Sequence, residues 1–137
     1  QELRRQLVTA DYNITCRNPI VLSATLKLWL RELTEPVVPE SFYDEAIRSE
    51  SPEKALELVQ RMPPDHACAL WTLMEFFVRM CQPEVHARTR MGLDNFAIVF
   101  APTLLRNPNQ DPVLMLRNGE AERSFLRNLL IAMGAKS

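Results

Sequence analysis

Ten prolines in 137 residues divide this chain into segments. A proline fixes its own φ, lacks an N–H and pushes its predecessor towards extended backbone, so it opens helices well and continues them badly. Residues 1–8 carry Leu3 and Leu7 at i and i+4 and read as the tail of a helix cut at its front, followed by a polar, irregular stretch over 10–18. Pro19 stands where a first helical position suits it, ahead of residues 20–33, which are rich in strong helix formers. Glu35-Pro36-Val37-Val38-Pro39 cannot be helical throughout. Residues 40–48 read as a short helix. Ser51-Pro52-Glu53 supplies an N-cap, a first-turn proline and a first-turn acid for a helix to about Met62. Pro63-Pro64-Asp65 opens the next, almost entirely apolar, to about Gln82. Pro83 ends that helix and residues 86–90 read as a basic connector. An apolar helix over 92–105, with Asp94 as its cap, leads to a loop at 106–112, a short helix to Arg117 and a last helix over about 120–133, closed by Gly134 as a C-cap. No period-two pattern persists, so the expected fold class is all-α, a helical bundle.

Composition narrows the function classes. Sixteen basic residues face seventeen acidic ones, and a net charge of −1 weighs against nucleic-acid binding, which needs a clearly basic surface. An apolar fraction of 47% suits a packed core rather than a disordered tail. No apolar run approaches the roughly 20 residues of a membrane span, and neither an initiator Met nor a basic-then-apolar leader is visible. Gly92, Gly119 and Gly134 are far apart, which rules out a Gly-rich phosphate cradle. Arginine outnumbers lysine thirteen to three, a bias suited to bidentate contact with carboxylates and equally explained by ordinary surface choice.

Cys16, Cys68 and Cys81 form no CxxC pair and read as buried thiols of a reducing compartment. His66, Cys68, Cys81 and His86 can be written as four zinc ligands. However, thirteen residues of continuous helix separate the two sulfurs by roughly 20 Å, whereas one zinc needs them within about 4 Å. No metal is expected. The histidines stand with no Ser or Cys nucleophile in a recognisable arrangement, and no carboxylate pair is set apart, so no catalytic site of the chain's own is expected. His66 reads as a helix-start residue and His86 as a loop residue.

Two helices break their own pattern. Along residues 20–33, Leu22, Leu26, Trp29, Leu30 and Leu33 make a broad stripe expected to be buried. Lys27 and Arg31, at i and i+4, leave on one face and repel by roughly a few tenths of a kcal/mol. A solvated face, or Arg31 answering Glu35, would account for them as well as a binding role would. Asn95 sits among apolar neighbours, near one helical face with Val99 and Pro102. If buried, its amide must find partners, since an unpaired buried polar group costs about 1–3 kcal/mol. It reads either as a helix-start residue tying down a loop carbonyl or as a binding residue.

Leu26-Lys27-Leu28-Trp29-Leu30-Arg31-Glu32-Leu33-Thr34-Glu35-Pro36-Val37-Val38-Pro39 resembles the "LKxFLRELPEPL" signature of Rho GTPase-activating (RhoGAP) domains. Asn95-Phe96-Ala97-Ile98-Val99-Phe100-Ala101-Pro102-Thr103-Leu104-Leu105 resembles that family's second signature, "NLAxVFxPxLL". Residues 122–130 look like its last helix, and the layout around Trp29 and 51–63 looks closer to the WW/MyTH4-associated (Vilse-type) branch. The resemblance implies a RhoGAP-like helical bundle over residues 1–137, the C-terminal two-thirds to three-quarters of a domain that is incomplete at its N-terminus. It implies a cytoplasmic partner of GTP-bound Rho-family small GTPases, recruited to membrane or cytoskeleton by other domains, that promotes their hydrolysis and needs no cofactor itself. By resemblance, Lys27 and Arg31 sit beside the GTPase switch regions and steady the loop that bears the catalytic arginine. Asn95 matches the signature asparagine that faces the GTPase, and Pro102 shapes its helix.

Two departures stand out. Ala101-Pro102-Thr103 replaces the family's frequent Gly-Pro-Asn and loses one side-chain amide. The family's arginine finger lies in a "GIFRxSG"-like motif upstream, and these 137 residues hold nothing like it; Arg4 and Arg5 lie on the helix after that loop and do not fill the role. Since such a finger supplies about 10³–10⁵ in rate, these residues alone are expected to bind and to accelerate poorly. A non-catalytic adaptor using the same groove, and an unrelated helical scaffold, are the alternatives.

Overall fold

The computed structural model describes residues 2–11 and 13–135. Gln1, where the reading above starts the first helix, and Tyr12, within the irregular stretch, lie outside the described residues. The helices are α1 (Glu2–Val8), α2 (Pro19–Glu32), α3 (Tyr43–Arg48) entered from a 3-10 turn at Glu40–Phe42, α4 (Pro52–Arg61), α5 (Pro64–Met80), α6 (Pro83–Thr89), α7 (Leu93–Leu104) and α8 (Pro112–Ala132). Among the described residues there is no strand, only a parallel bridge of Val38 with Leu105, so the all-α class holds. The chain divides into two compact units, Gln1–Thr34 and Glu35–Ser137.

In the first unit, Pro19 opens α2 and the Asn18 side chain caps it, accepting from the Ile20 N–H at 3.0 Å. The expected buried stripe is not observed. Leu30 is buried, but Leu22 is 36% and Trp29 50% exposed, and Leu26 and Leu33 are half-buried. A stripe is buried only where another element covers it, and within this unit the other helix is the seven-residue α1. An open groove of about 570 Å³, lined by Arg4, Val8, Thr25 and Leu28 among others, lies between these two helices. Gln6 is buried on α1 and donates to the Asn13 carbonyl at 2.9 Å, which ties the turn after α1, where Ala10 takes φ +58°.

In the second unit, α8 is the axis against which α3, α4, α5 and α7 pack. Phe125, Leu126, Leu129 and Leu130 of α8 are fully buried, as are Leu58 of α4, Leu70 and Met74 of α5, and Leu104 of α7. Phe77 of α5 stacks on Phe96 (ring centroids 5.1 Å) and meets Phe100 (4.5 Å), which joins α5 to α7 through aromatic contact. In the proline-flanked stretch, Pro36, Val37, Val38 and Pro39 are buried and Glu35 is exposed. The Val38 N–H donates to the Leu104 carbonyl at 3.1 Å, and the Val37 carbonyl lies 3.0 Å from His66 Nδ1. His66 is the third residue of α5, the helix-start position expected for it.

Several boundaries differ from the sequence reading. Pro83 ends α5 but also occupies the first turn of α6, so His86 belongs to a helix rather than a connector; proline in a first turn loses no intrahelical bond. No break separates Arg117 from Glu120: α8 runs through Asn118-Gly119 despite the weak helix propensity of both residues, and its buried side chains begin at Glu122. Asp94 does not cap α7. Gly92 is the N-cap without a side-chain bond, and Asp94 instead pairs with Arg127 of α8 (Nε to Oδ1 2.8 Å). Of the cysteines only Cys81 is buried; Cys68 is exposed and Cys16 half-buried, because the apolar face of α5 does not include position 68. Gly134, at φ +96°, follows α8 as expected: its N–H donates to Ile131 and that of Ala135 to Leu130, both at 3.0 Å, closing the helix as a Schellman turn.

Candidate functional site

The expected site residues fall into two pairs, each within one unit. Lys27 and Arg31 lie on α2 at i and i+4, the first half-buried and the second exposed. Asn95 and Pro102 lie on α7 at i and i+7, both exposed. The Asn95 amide is at the surface, at the start of α7, and donates from Nδ2 to the Arg90 carbonyl at 3.2 Å. This is the loop-tying geometry that its sequence position allowed. A helix start among apolar residues puts its third residue outward when Leu93, Phe96 and Ala97 take the core.

On α7, seven of twelve residues are buried. The outward strip is Asn95, Ile98 and Pro102, with Val99 half-buried beside it. Ile98 is 56% exposed on a helix whose other large apolar residues are covered. Pro102, inside the helix, has no N–H for the Ile98 carbonyl.

Beside the strip an open groove of about 370 Å³ runs between the end of α7, the following loop and the first half of α8, with Ile98, Pro102, Arg106, Met115, Leu116 and Arg123 on its walls. Val113, Met115 and Leu116 stand well exposed at the start of α8. Sequence reasoning passed over Ile98, Leu116 and Arg123. Ile98 was legible as the residue three after Asn95 on the same face, whereas Leu116 and Arg123 were not, because the reading broke α8 between them.

Beneath the groove lies a buried polar pair. Glu122 is buried on α8 and accepts from the Tyr43 hydroxyl at 3.0 Å. Burial raises the Glu122 carboxyl above the ordinary carboxylate range, against the opposing pull of the Tyr43 hydrogen bond and Arg123. Burial and the neighbouring carboxylate likewise raise the Tyr43 phenol. Burial alone raises the Cys81 thiol, which disfavours the reactive thiolate. Among the described residues no three His, Cys, Asp or Glu side chains gather as a metal site, and no helix is long and apolar enough to cross a membrane. Within the second unit, the exposed Arg123, the Asn95 amide and the apolar side chains of Ile98 and Leu116 are groups suited to contact with another protein.

The family description "RhoGAP domain" matches residues 1–109 of this chain. The chain belongs to the RhoGAP domain family. Among relatives, "GTPase activating protein homolog 2" of Dictyostelium discoideum is 33% identical over 134 residues, covering 95% of this chain and 15% of that protein. N-chimaerin of Rattus norvegicus is 30% identical over 129 residues, covering 88% of this chain and 38% of its own length. The RhoGAP chain thus spans well under half of these relatives. Its fold is that of human Rho GTPase activating protein 15 (TM-score 0.80, 22% identity, 98% of this chain and 68% of that one). The BH domain from GRAF, the GTPase regulator associated with focal adhesion kinase, is similar too (TM-score 0.73, 21% identity, 94% and 74%).

Proposed function

We propose that this RhoGAP chain docks on GTP-bound Rho-family GTPases in the cytoplasm and promotes hydrolysis of their nucleotide, with no active site of its own. The observation that carries the reading is the strip Asn95–Ile98–Pro102: the outward residues of a helix that otherwise turns its apolar side chains to the core coincide with the polar and proline positions of the family signature. Lys27 and Arg31 offer adjacent cations to acidic groups of the partner, which steer encounter and fix orientation. Within the second unit, the groove beside Ile98 and Leu116 offers apolar contact next to Asn95. The GTP belongs to the partner, and catalysis consists of ordering the partner's own hydrolytic groups.

Without a "GIFRxSG"-like loop, these 137 residues bind but accelerate weakly. The test compares GTP hydrolysis by several Rho-family GTPases with and without the chain, alongside its affinity for their GTP- and GDP-loaded forms. The expected result is preferential binding to the GTP form with acceleration below a few tens of fold. Stronger acceleration contradicts the requirement for the loop, and absence of binding to every GTP-loaded Rho-family protein overturns the reading. Preferential binding with no acceleration identifies the adaptor alternative.

A further inference from the structure

Asn95 is held from behind. Its Nδ2 donates to the Arg90 carbonyl at 3.2 Å. A carbonyl oxygen only accepts, so the amide nitrogen must be the end that faces it, and turning the amide over would set two oxygens together. The Asn95 Oδ1 is therefore directed away from Arg90, on an exposed residue, as an acceptor.

The carbonyl stands where it does because Arg90 adopts φ 60° and ψ 13°, the left-handed region that residues bearing a Cβ enter at a cost. Three contacts hold this turn. The Arg90 N–H donates to the His86 carbonyl at 2.8 Å and closes α6. The Met91 N–H donates to Thr89 Oγ1 at 3.1 Å. Gly92 admits the His86 ring, whose Nε2 would stand 3.3 Å from a Cβ at that position. On the other side of Asn95, Asp94 is fastened to Arg127 at 2.8 Å. The first turn of α7 is thus tied both to the preceding junction and to α8.

We propose that Arg90 is a positioning residue: its left-handed turn at the α6–α7 junction locks the Asn95 amide so that Oδ1 meets an N–H donor of the GTPase. The inference rests on the docking reading above. It assigns the role to the backbone of Arg90, not to its guanidinium, which separates it from a simple charge contribution.

The test measures affinity for a GTP-loaded Rho-family GTPase across four variants, with circular dichroism as the check on folding. Asn95→Ala is expected to weaken binding about tenfold. Arg90→Val, whose β-branched side chain resists φ +60°, is expected to weaken it nearly as much, and Arg90→Gly to stay within about twofold of the parent. Combining Arg90→Val with Asn95→Ala is expected to add little, because both remove one oriented acceptor. Parent-like binding by Arg90→Val, equal loss in Arg90→Gly, or additive loss in the double variant overturns the inference. Asn95→Ala binding as the parent overturns the docking reading and the inference together.

Two further measurements keep the proposal falsifiable if Arg90→Val does not fold. Asn95→Asp keeps an acceptor oxygen but loses the donor that reaches Arg90, and is expected to weaken binding as Asn95→Ala does; parent-like binding overturns the inference. The Asn95 side-chain NH₂ resonances, identified by their loss in Asn95→Ala, are expected to show slowed solvent exchange in the parent and in Arg90→Gly. Exchange at the rate of a free amide in the parent would overturn it without any partner present.

Discussion

The two helices that carry the family signatures, α2 and α7, are both rich in apolar residues, α7 the more so, and differ in what they bury. Seven of the twelve residues of α7 are buried, against one of the fourteen of α2. The second unit gives α7 both α5 and α8 to pack against, whereas the first gives α2 the single short helix α1. Apolar content states what a helix could bury, and neighbours decide what it does bury. The contrast also sets how much an exposed residue says. On α7 an outward Ile98 is an exception among large apolar side chains that are otherwise covered. On α2, exposure of Arg31 is shared with Ile20, Leu28 and Trp29 and distinguishes little, and Lys27 is half-buried.

The largest effect that can break this comparison is at the aromatic junction. Phe77→Ala removes a ring that is 1% exposed and touches both Phe96 and Phe100, and is expected to cost about 3–5 kcal/mol. Trp29→Ala removes a larger side chain that is half exposed, and is expected to cost under about 1 kcal/mol. Urea unfolding of both variants measures the difference. Equal losses would mean that α2 is as tightly packed as α7.

The same contrast explains what could be read in advance. Ser51-Pro52, Pro19 and Gly134 act locally, through capping, ring geometry and positive φ, so their sequence neighbourhood suffices to place helix ends. Asp94 was misread because its role is set at a distance: Arg127 claims it from thirty-three positions away. At Gly119 the helix runs on through a stretch whose own propensity argues for a break. The fold class was legible almost entirely. Of the candidate site, the sequence put Asn95, Val99 and Pro102 near one helical face and left open whether the Asn95 amide is buried; its exposure is decided by its neighbours in space.

A middle-sized effect concerns polar groups inside each unit. In the second, Tyr43 and Glu122 satisfy one another; in the first, buried Gln6 donates to Asn13 while its Oε1 has no partner. Tyr43→Phe leaves the Glu122 carboxyl without its donor and is expected to cost about 1–3 kcal/mol, more than Gln6→Leu, which removes an already unpaired oxygen together with the donor to the carbonyl of the exposed Asn13, a group that water can serve. Native Glu122 holds its proton to higher pH than the unfolded chain does. Its contribution to stability is therefore full below the unfolded carboxylate pKa, about 4.3, and declines as pH rises through the higher native value. Glu122→Gln is expected to flatten that decline in urea unfolding followed from about pH 4 to pH 7. An unchanged slope would place the titration elsewhere.

The smallest effect sharpens the comparison from the side of α8, the helix that makes α7 a buried one. Gly119 lies in the interior of α8, and a Cβ there would meet only Arg123 Nη1, at 3.4 Å, the far end of a flexible side chain. Gly119→Ala is expected to stabilise the second unit by about 0.5–1 kcal/mol by lowering the entropy of the unfolded chain and extending helical propensity across the stretch that sequence alone would break. Because Gly119 also lines the groove beside Ile98, the variant separates two properties of α8. A gain in melting temperature with unchanged affinity for a GTP-loaded Rho-family GTPase assigns that part of the groove to the fold. The same gain with weakened affinity means that the added methyl stands where the partner docks.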